Sequence, residues 1–193
     1  MSTRGVAVAV EAGRWRAVSA VSLVAAEAAL FWRFGWTAPL AAYGCLGVTL
    51  TLATVVDART KTMPHVLLLP SYPAGVGLLA MACSVDGDWW RLDRAVIAMA
   101  AVAGLYLVIA LVAAGQMGLA DVTLGGLLGL LLGWLGWSAL TTGVLLGWVA
   151  ALVAVAALRL GRPGHRDQAR RITAIPAGPC LWLGALVAIL ATR

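Results

Sequence analysis

Two aspartates, Asp57 and Asp121, stand at the edges of long apolar stretches. Asp57 ends the run "TLATVV", and Asp121 lies between "GQMGLA" and "VTLGGLLGLLLGW". An ionisable residue beside such runs is costly to desolvate, and in membranes such residues mark functional sites. Two carboxylates held close together share a proton, so that one can activate a water molecule while the other protonates a carbonyl oxygen. These residue types therefore permit peptide hydrolysis without a metal, a serine or a cysteine.

Both aspartates also have an ordinary structural interpretation. Asp121 opens an apolar run, and the free N–H groups and dipole of a helix N-terminus favour a carboxylate there. Asp57 precedes Pro64, a residue that suits the first turn of a following helix. Spacing alone leaves a helix cap and an interfacial charge open beside catalysis.

The composition indicates that these aspartates belong to a membrane protein. Hydrophobic residues make up 62% of the 193 residues and charged residues only 11%, and the mean hydropathy is +0.94. Soluble domains contain about a quarter charged residues. We therefore expect an all-α polytopic membrane helix bundle that forms one domain over residues 1–193.

Apolar runs of roughly 20 residues predict the membrane spans. The stretch Val122–Leu158 has no charge, and as a single helix it would be far longer than the bilayer is thick, so two spans turning near residues 136–138 are expected. The first span, within the N-terminal segment 1–35, is the weakest because it is short and contains Glu27. The total is seven transmembrane helices, or six if the first is a cleaved signal peptide. The predicted spans are Ala17–Trp32, Trp36–Val56, Val66–Ser84, Ala95–Ala114, the two within Val122–Leu158, and Ile172–Thr192.

The basic residues indicate orientation in the membrane rather than nucleic-acid binding, although the net charge is +6. With the N-terminus inside, ten of the 14 basic residues face the cytoplasm, as the positive-inside rule requires. Asp57 and Asp121 then share the cytoplasmic face of the inner (plasma) membrane. The lipid bilayer is thus an expected partner, and nucleic acid is not. The ten inner residues are Arg4, Arg14, Arg16, Arg59, Lys61, Arg159, Arg162, Arg166, Arg170 and Arg171, and the outer four are Arg33, Arg91, Arg94 and Arg193.

The other polar and small residues predict packing more than chemistry. The three cysteines form no CxxC pair, so neither a metal nor a cofactor is expected. Glu27 either faces the bundle interior or lies near a frayed end, and His65 and His165 are interpreted as interfacial and solvated residues without an assigned role. Gly125, Gly129 and Gly133 recur every four residues, which predicts a close helix contact that would hold Asp121 rigidly.

Three stretches resemble motifs of the type IV prepilin peptidases, membrane aspartyl proteases with a GxGD signature. Asp57 is followed by Met63-Pro64, as the family's aspartate is followed by an Ile-Pro pair. "GLADVTLGGLLGLLLGW" resembles GxGD and its glycine-rich helix, and "IPAGPCLWLGALVAIL", Ile175 to Leu190, resembles the segment that opens the last helix. The resemblance covers about residues 50–193, and the order of the three motifs makes it fairly specific.

The resemblance implies that Asp57 and Asp121 form a catalytic pair. It implies that the substrates are prepilins or pilin-like pseudopilins, whose short basic leader is removed on the cytoplasmic side. Larger family members carry an N-terminal N-methyltransferase region with paired CxxC motifs, which is lacking here, so we expect a peptidase alone, similar to the short forms of tight-adherence pilus systems. Self-association into a homo-oligomer stays open.

Three positions depart from the family pattern. Ala120 replaces the second glycine of GxGD, Thr123 stands where lysine is frequent, and Ala177 stands where phenylalanine is frequent. Because a methyl group at residue 120 restricts the backbone, a catalytically impaired membrane scaffold of a pilus or secretion system is the alternative function. A small transporter is a third interpretation, but the spans offer few polar residues to line a path.

Overall fold

The chain is helical throughout the part that the structure describes. This computed structural model describes residues 3–60, 65–112, 118–160 and 177–192, and these ranges contain no strand. The all-α prediction is therefore confirmed. The helices are α1 (Thr3–Phe34), α2 (Leu40–Thr60), α3 (His65–Leu68), α4 (Ser71–Asp86), α5 (Trp89–Val112), α6 (Leu119–Leu135), α7 (Trp137–Leu160) and α8 (Ala177–Ala191).

Four segments are long and apolar enough to cross a membrane. They are Gly13–Phe34 within α1, the whole of α2 and α5, and Trp137–Ala157 within α7. Helices α6 and α8 are also apolar but have only 17 and 15 residues, and α4 has 16. A helical membrane bundle is thus confirmed, whereas seven complete spans and cleavage of the first remain predictions.

The long apolar stretch 122–158 is divided at Gly136, as the bilayer thickness predicted. Gly136 has φ +146°, a backbone conformation that residues with a Cβ rarely adopt. Its N–H donates to the carbonyl oxygen of Leu132 at 3.1 Å, and its own carbonyl accepts the N–H of Leu140 at 3.0 Å. One residue therefore ends α6 and begins the change of direction into α7.

Helix α6 lies at the centre of the bundle and packs most extensively against α5. Nearly every residue from Val122 to Trp134 is buried, as expected for a helix that is apolar on all sides. A Cβ atom added to Gly129 would lie 2.7 Å from the carbonyl oxygen of Ala98 and 3.0 Å from the Cα of Met99. The predicted close contact along the glycine row is confirmed, and its partner is α5.

Helices α7 and α8 approach each other equally closely. A Cβ atom on Gly184 of α8 would lie 2.6 Å from the Cα of Gly147 in α7. Small residues in both helices let the backbones come together, which is a common basis of helix association in membranes. Because α8 also packs on α2 and α6, this contact fixes the N-terminal end of α8 beside the C-terminal end of α2.

Candidate functional site

Asp57 points into the bundle from the last two turns of α2. Leu50, Ala53, Thr54 and Asp57 are all buried, at the spacing that places residues on one face of a helix. The Asp57 side chain is therefore carried inward by the apolar stripe that packs α2 against its neighbours. Asp57 is only 7% exposed, which is low for a carboxylate.

The N-terminus of α8 lies beside Asp57. The backbone N–H of Gly178, the second residue of α8, is near enough to the Asp57 carboxylate to interact with it electrostatically. This N–H belongs to the first turn, where helix N–H groups have no partner within the helix and the dipole favours a negative charge. The Oδ2 atom of Asp57 is buried without a hydrogen-bond partner among the described residues. The Asp57 carboxylate thus lies beside a helix N-terminus and keeps one oxygen without a partner in this part of the chain.

Asp121 lies in the first turn of α6 and closes that turn. Gly118 precedes the helix, and its N–H donates to Oδ2 of Asp121 at 3.3 Å. This is the acidic arm of a capping box, in which the third helical residue reaches back to the N-cap backbone. The structural interpretation of Asp121 as a capping residue is therefore confirmed, and its half-buried carboxylate keeps further lone pairs for other partners.

The two aspartates lie at the same end of the bundle. Helices α2 and α6 contact each other and run antiparallel, because Tyr43 near the start of α2 donates to the carbonyl oxygen of Leu131 near the end of α6 at 2.6 Å. The fold therefore places at one end of the bundle two carboxylates that are distant in sequence. This arrangement has the residue types needed for proton sharing.

Two tyrosines hold the first turns of α6, and the sequence analysis did not single them out. Tyr72 of α4 donates its hydroxyl to the carbonyl oxygen of Thr123 at 2.7 Å. The ring of Tyr106 from α5 lies against Gly125, where an added Cβ would be 2.7 Å from Cε2. Polar aromatic residues inside apolar runs are the signal that identifies such side chains, because a buried hydroxyl needs a partner. Asp121 is consequently mounted on a helix that is fixed from both sides.

The three departures from the family pattern have plain structural roles. Ala120 is a regular helical residue of α6. Thr123 donates its hydroxyl to the carbonyl oxygen of Ala120 at 2.8 Å, and Ala177 begins α8 and packs on the core. Helical backbone at residue 120 does not require glycine.

An apolar groove of about 480 Å³ borders the aspartate site. It runs between α1, α2 and α8, and Thr54 and Ala58, which flank Asp57 on α2, contribute to its wall. Pro179, next to Gly178, lines it from α8. An extended or helical apolar segment lying in this groove would therefore end close to Asp57.

Some residues of the sequence hypothesis lie outside the described ranges. These are Met63, Pro64, Ile175, Pro176 and the basic loop that contains His165. Within the described part of the third motif, Gly178 lies beside Asp57. It presents a backbone N–H, for which a sequence carries no side-chain signal.

Comparison with known protein families agrees with this geometry. The type IV leader peptidase family matches residues 44–158, which is more than half of the chain and includes both aspartates. The chain has no significant match among curated proteins or among solved structures. The matched segment runs from within α2 to within α7 and contains the complete central helix α6. The chain therefore belongs to the type IV leader peptidase family.

Proposed function

We propose that this chain is an aspartic endopeptidase that removes the short basic leader from prepilins or pseudopilins. The observation that carries the proposal is the position of Asp57 and Asp121 at one end of the bundle, inside the segment that matches a peptidase family. The first turn of α8 beside Asp57 supports it, because helix N–H groups favour a carboxylate there, and Oδ2 of Asp57 has no hydrogen-bond partner among the described residues.

In the proposed reaction one carboxyl group of the pair is ionised and the other is protonated. The ionised group takes a proton from a water molecule while the water oxygen bonds to the scissile carbonyl carbon. The protonated group gives its proton to the carbonyl oxygen, so that no free oxyanion forms. The tetrahedral species then collapses: the C–N bond breaks, the departing amine takes a proton from the protonated carboxyl group, and one hydroxyl proton of the tetrahedral species passes to the ionised carboxylate, so that the pair again holds one proton. We assign the acid and base roles to the pair as a unit.

The shape and charge around the pair support a substrate with a basic segment and an apolar helix. The apolar groove beside Asp57 offers a surface for an apolar helix that remains in the bilayer. The two carboxylates form an acidic centre at the end of this groove, which favours a basic leader by charge. We further propose that this end faces the cytoplasm in the inner membrane, in accordance with the distribution of basic residues.

The alternative of a catalytically impaired scaffold for pilus or secretion assembly depended on Ala120. Because Ala120 has ordinary helical backbone, its methyl group is no obstacle to the position of Asp121. The peptidase is therefore the function we favour, and an assay of leader removal separates the two.

The test uses purified full-length protein in detergent with a synthetic precursor made of a basic leader and an apolar helix. Mass spectrometry follows the release of the leader. We expect Asp57→Asn and Asp121→Asn each to lower the rate by about 10²–10⁴-fold. Asparagine retains a side-chain oxygen for the Gly118 N–H, so Asp121→Asn removes the ionisable group while preserving the cap.

The matched control is Asp93→Asn, because Asp93 is an exposed aspartate on α5. This variant should cleave at the wild-type rate, and thermal unfolding should be similar for all three variants. A folded Asp57→Asn or Asp121→Asn protein that processes the precursor at the wild-type rate would refute the two-aspartate mechanism. Absence of leader removal by the wild-type protein would instead favour the scaffold.

A further inference from the structure

A polar cavity of about 570 Å³ lies at the end of the bundle opposite the aspartates. Helix α6 begins beside the aspartates and ends at this cavity. The remaining walls come from the last turn of α1, the connection between α1 and α2, the end of α4 with the connection that follows it, the first two turns of α5, and Thr192 after α8. Five charged side chains line the cavity: Arg33, Asp86, Asp88, Arg91 and Arg94.

Two of the arginines are fixed by the C-terminal carbonyl groups of neighbouring helices. Arg33 donates from Nε to the carbonyl oxygen of Ile189 at 3.2 Å. Arg94 donates from Nε to Gly133 at 2.8 Å and from Nη2 to Trp134 at 2.6 Å. A guanidinium group has five N–H donors in a planar fork. Most of the donors of Arg33 and several of Arg94 therefore remain for a ligand in the cavity.

These two arginines line the same cavity, and neither forms an ion pair with a carboxylate among the described residues. Arg91, by contrast, forms an ion pair with Asp88 at 2.9 Å. Within the described residues the cavity thus presents two anchored guanidinium groups and one carboxylate, Asp86, without an ion-pair partner.

Tryptophan side chains place this cavity at the depth of lipid headgroups. Five of them are exposed around this end of the bundle, on the last turn of α1, in the connection between α1 and α2, at the start of α5 and at the start of α7. Tryptophan is enriched at both membrane–water interfaces, where its ring lies at headgroup level. A phospholipid next to the protein therefore has its phosphate at the level of the cavity. The residues are Trp32, Trp36, Trp89, Trp90 and Trp137.

We propose that this cavity binds the phosphoethanolamine headgroup of a phospholipid, with the phosphate on Arg33 and Arg94 and the ammonium on Asp86. Arginine forks match phosphate oxygens in bidentate geometry. The Asp86 carboxylate complements the primary ammonium group of ethanolamine, which the anionic headgroup of phosphatidylglycerol lacks. The cavity volume of about 570 Å³ falls within the range of small-molecule sites. This site is independent of the proposed peptidase activity.

The experiment measures lipid binding to the purified protein by native mass spectrometry. Phosphatidylethanolamine, phosphatidylglycerol and phosphatidylcholine with matched acyl chains are titrated in parallel. We expect the ethanolamine lipid to bind about 10-fold more tightly than either other lipid, since a charge-assisted hydrogen bond in a partly closed site is worth about one decade or more in affinity. Asp86→Asn should abolish this preference and leave the affinity for phosphatidylglycerol unchanged. Arg33→Gln should weaken the binding of both phosphatidylethanolamine and phosphatidylglycerol.

Asp86 is the decisive position for this test because it is exposed, and its replacement should leave the fold intact. Replacement of Arg94 would instead remove its hydrogen bonds to the end of α6 and could destabilise the protein. Asp93→Asn, at an exposed aspartate outside the cavity, serves as the matched control and should retain the preference. Equal affinity of the wild type for all three lipids overturns the proposal, as does an Asp86→Asn protein that still prefers phosphatidylethanolamine. Displacement of the lipid by equimolar soluble phosphoethanolamine would show that the ligand is not a lipid.

Discussion

Replacement of Gly129 by alanine should weaken the contact between α5 and the central helix. The new Cβ would lie 2.7 Å from the Ala98 carbonyl oxygen, where ordinary contacts begin at 3.4 Å, so the helices must separate locally by about 0.7 Å. The three atoms nearest to this position are backbone atoms of Ala98 and Met99, which no side-chain rotation can move away. Overpacking of this kind costs about 1–3 kcal/mol, against a gain of about 1 kcal/mol from the better helix propensity of alanine.

Gly104→Ala provides the control that isolates the packing cost. Gly104 lies inside α5, and an added Cβ meets nothing within 4 Å. Both variants gain the same helix propensity, so Gly129→Ala should be less stable than Gly104→Ala by about 1–3 kcal/mol in reversible unfolding in detergent. Leader removal should also slow by about 10-fold in Gly129→Ala only, because α6 carries Asp121 and sub-ångström misplacement of a reacting group lowers rates. Equal stability of the two variants would refute the close backbone contact.

Three further substitutions test the turn at Gly136, the buried hydrogen bond of Trp182 and the motif residue Ala120. Gly136→Ala should lower the free energy of unfolding by about 1–3 kcal/mol, because the backbone at φ +146° strains any residue with a Cβ. An unchanged thermal unfolding temperature would contradict the positive φ at this residue. Trp182→Phe removes the Nε1–H that donates to Thr51 at 3.1 Å and should cost about 1–3 kcal/mol, whereas Trp137→Phe, at a residue that is 50% exposed, should change stability by less than about 0.5 kcal/mol. Ala120→Gly should destabilise α6 by about 0.5–1 kcal/mol and should not accelerate leader removal, so a faster variant would contradict the helical role of this residue.

Features that depend on length and periodicity were predictable from the sequence. The break at Gly136 followed from an apolar stretch too long for one span, and the contact of α6 followed from glycines at every fourth residue. The helix ends were predicted less accurately. Helix α2 continues to Thr60, beyond the predicted end at Val56, because backbone hydrogen bonding continues through polar residues that a hydropathy pattern excludes.

The partners of the functional side chains were not predictable from the sequence. Gly178 presents its backbone N–H to Asp57, and any residue other than proline offers this group at that position. Arg94 was counted only as a charge on the outer side, yet it caps the carbonyl groups at the end of α6. Such contacts arise when helices distant in the chain pack together, so they depend on tertiary structure rather than on local pattern.

The position of Ala120 shows how a motif residue is better understood from its backbone than from its identity. A glycine in a signature suggests a conformation that only glycine reaches, and alanine then suggests lost activity. Here residue 120 belongs to the first turn of α6. The residue with extended backbone is the N-cap residue Gly118, with φ −74° and ψ 147°. The carboxylate of Asp121 reaches back to that residue, so helical geometry at residue 120 holds the aspartate in place. Alanine favours this geometry over glycine, and the substitution is therefore compatible with the proposed role of Asp121.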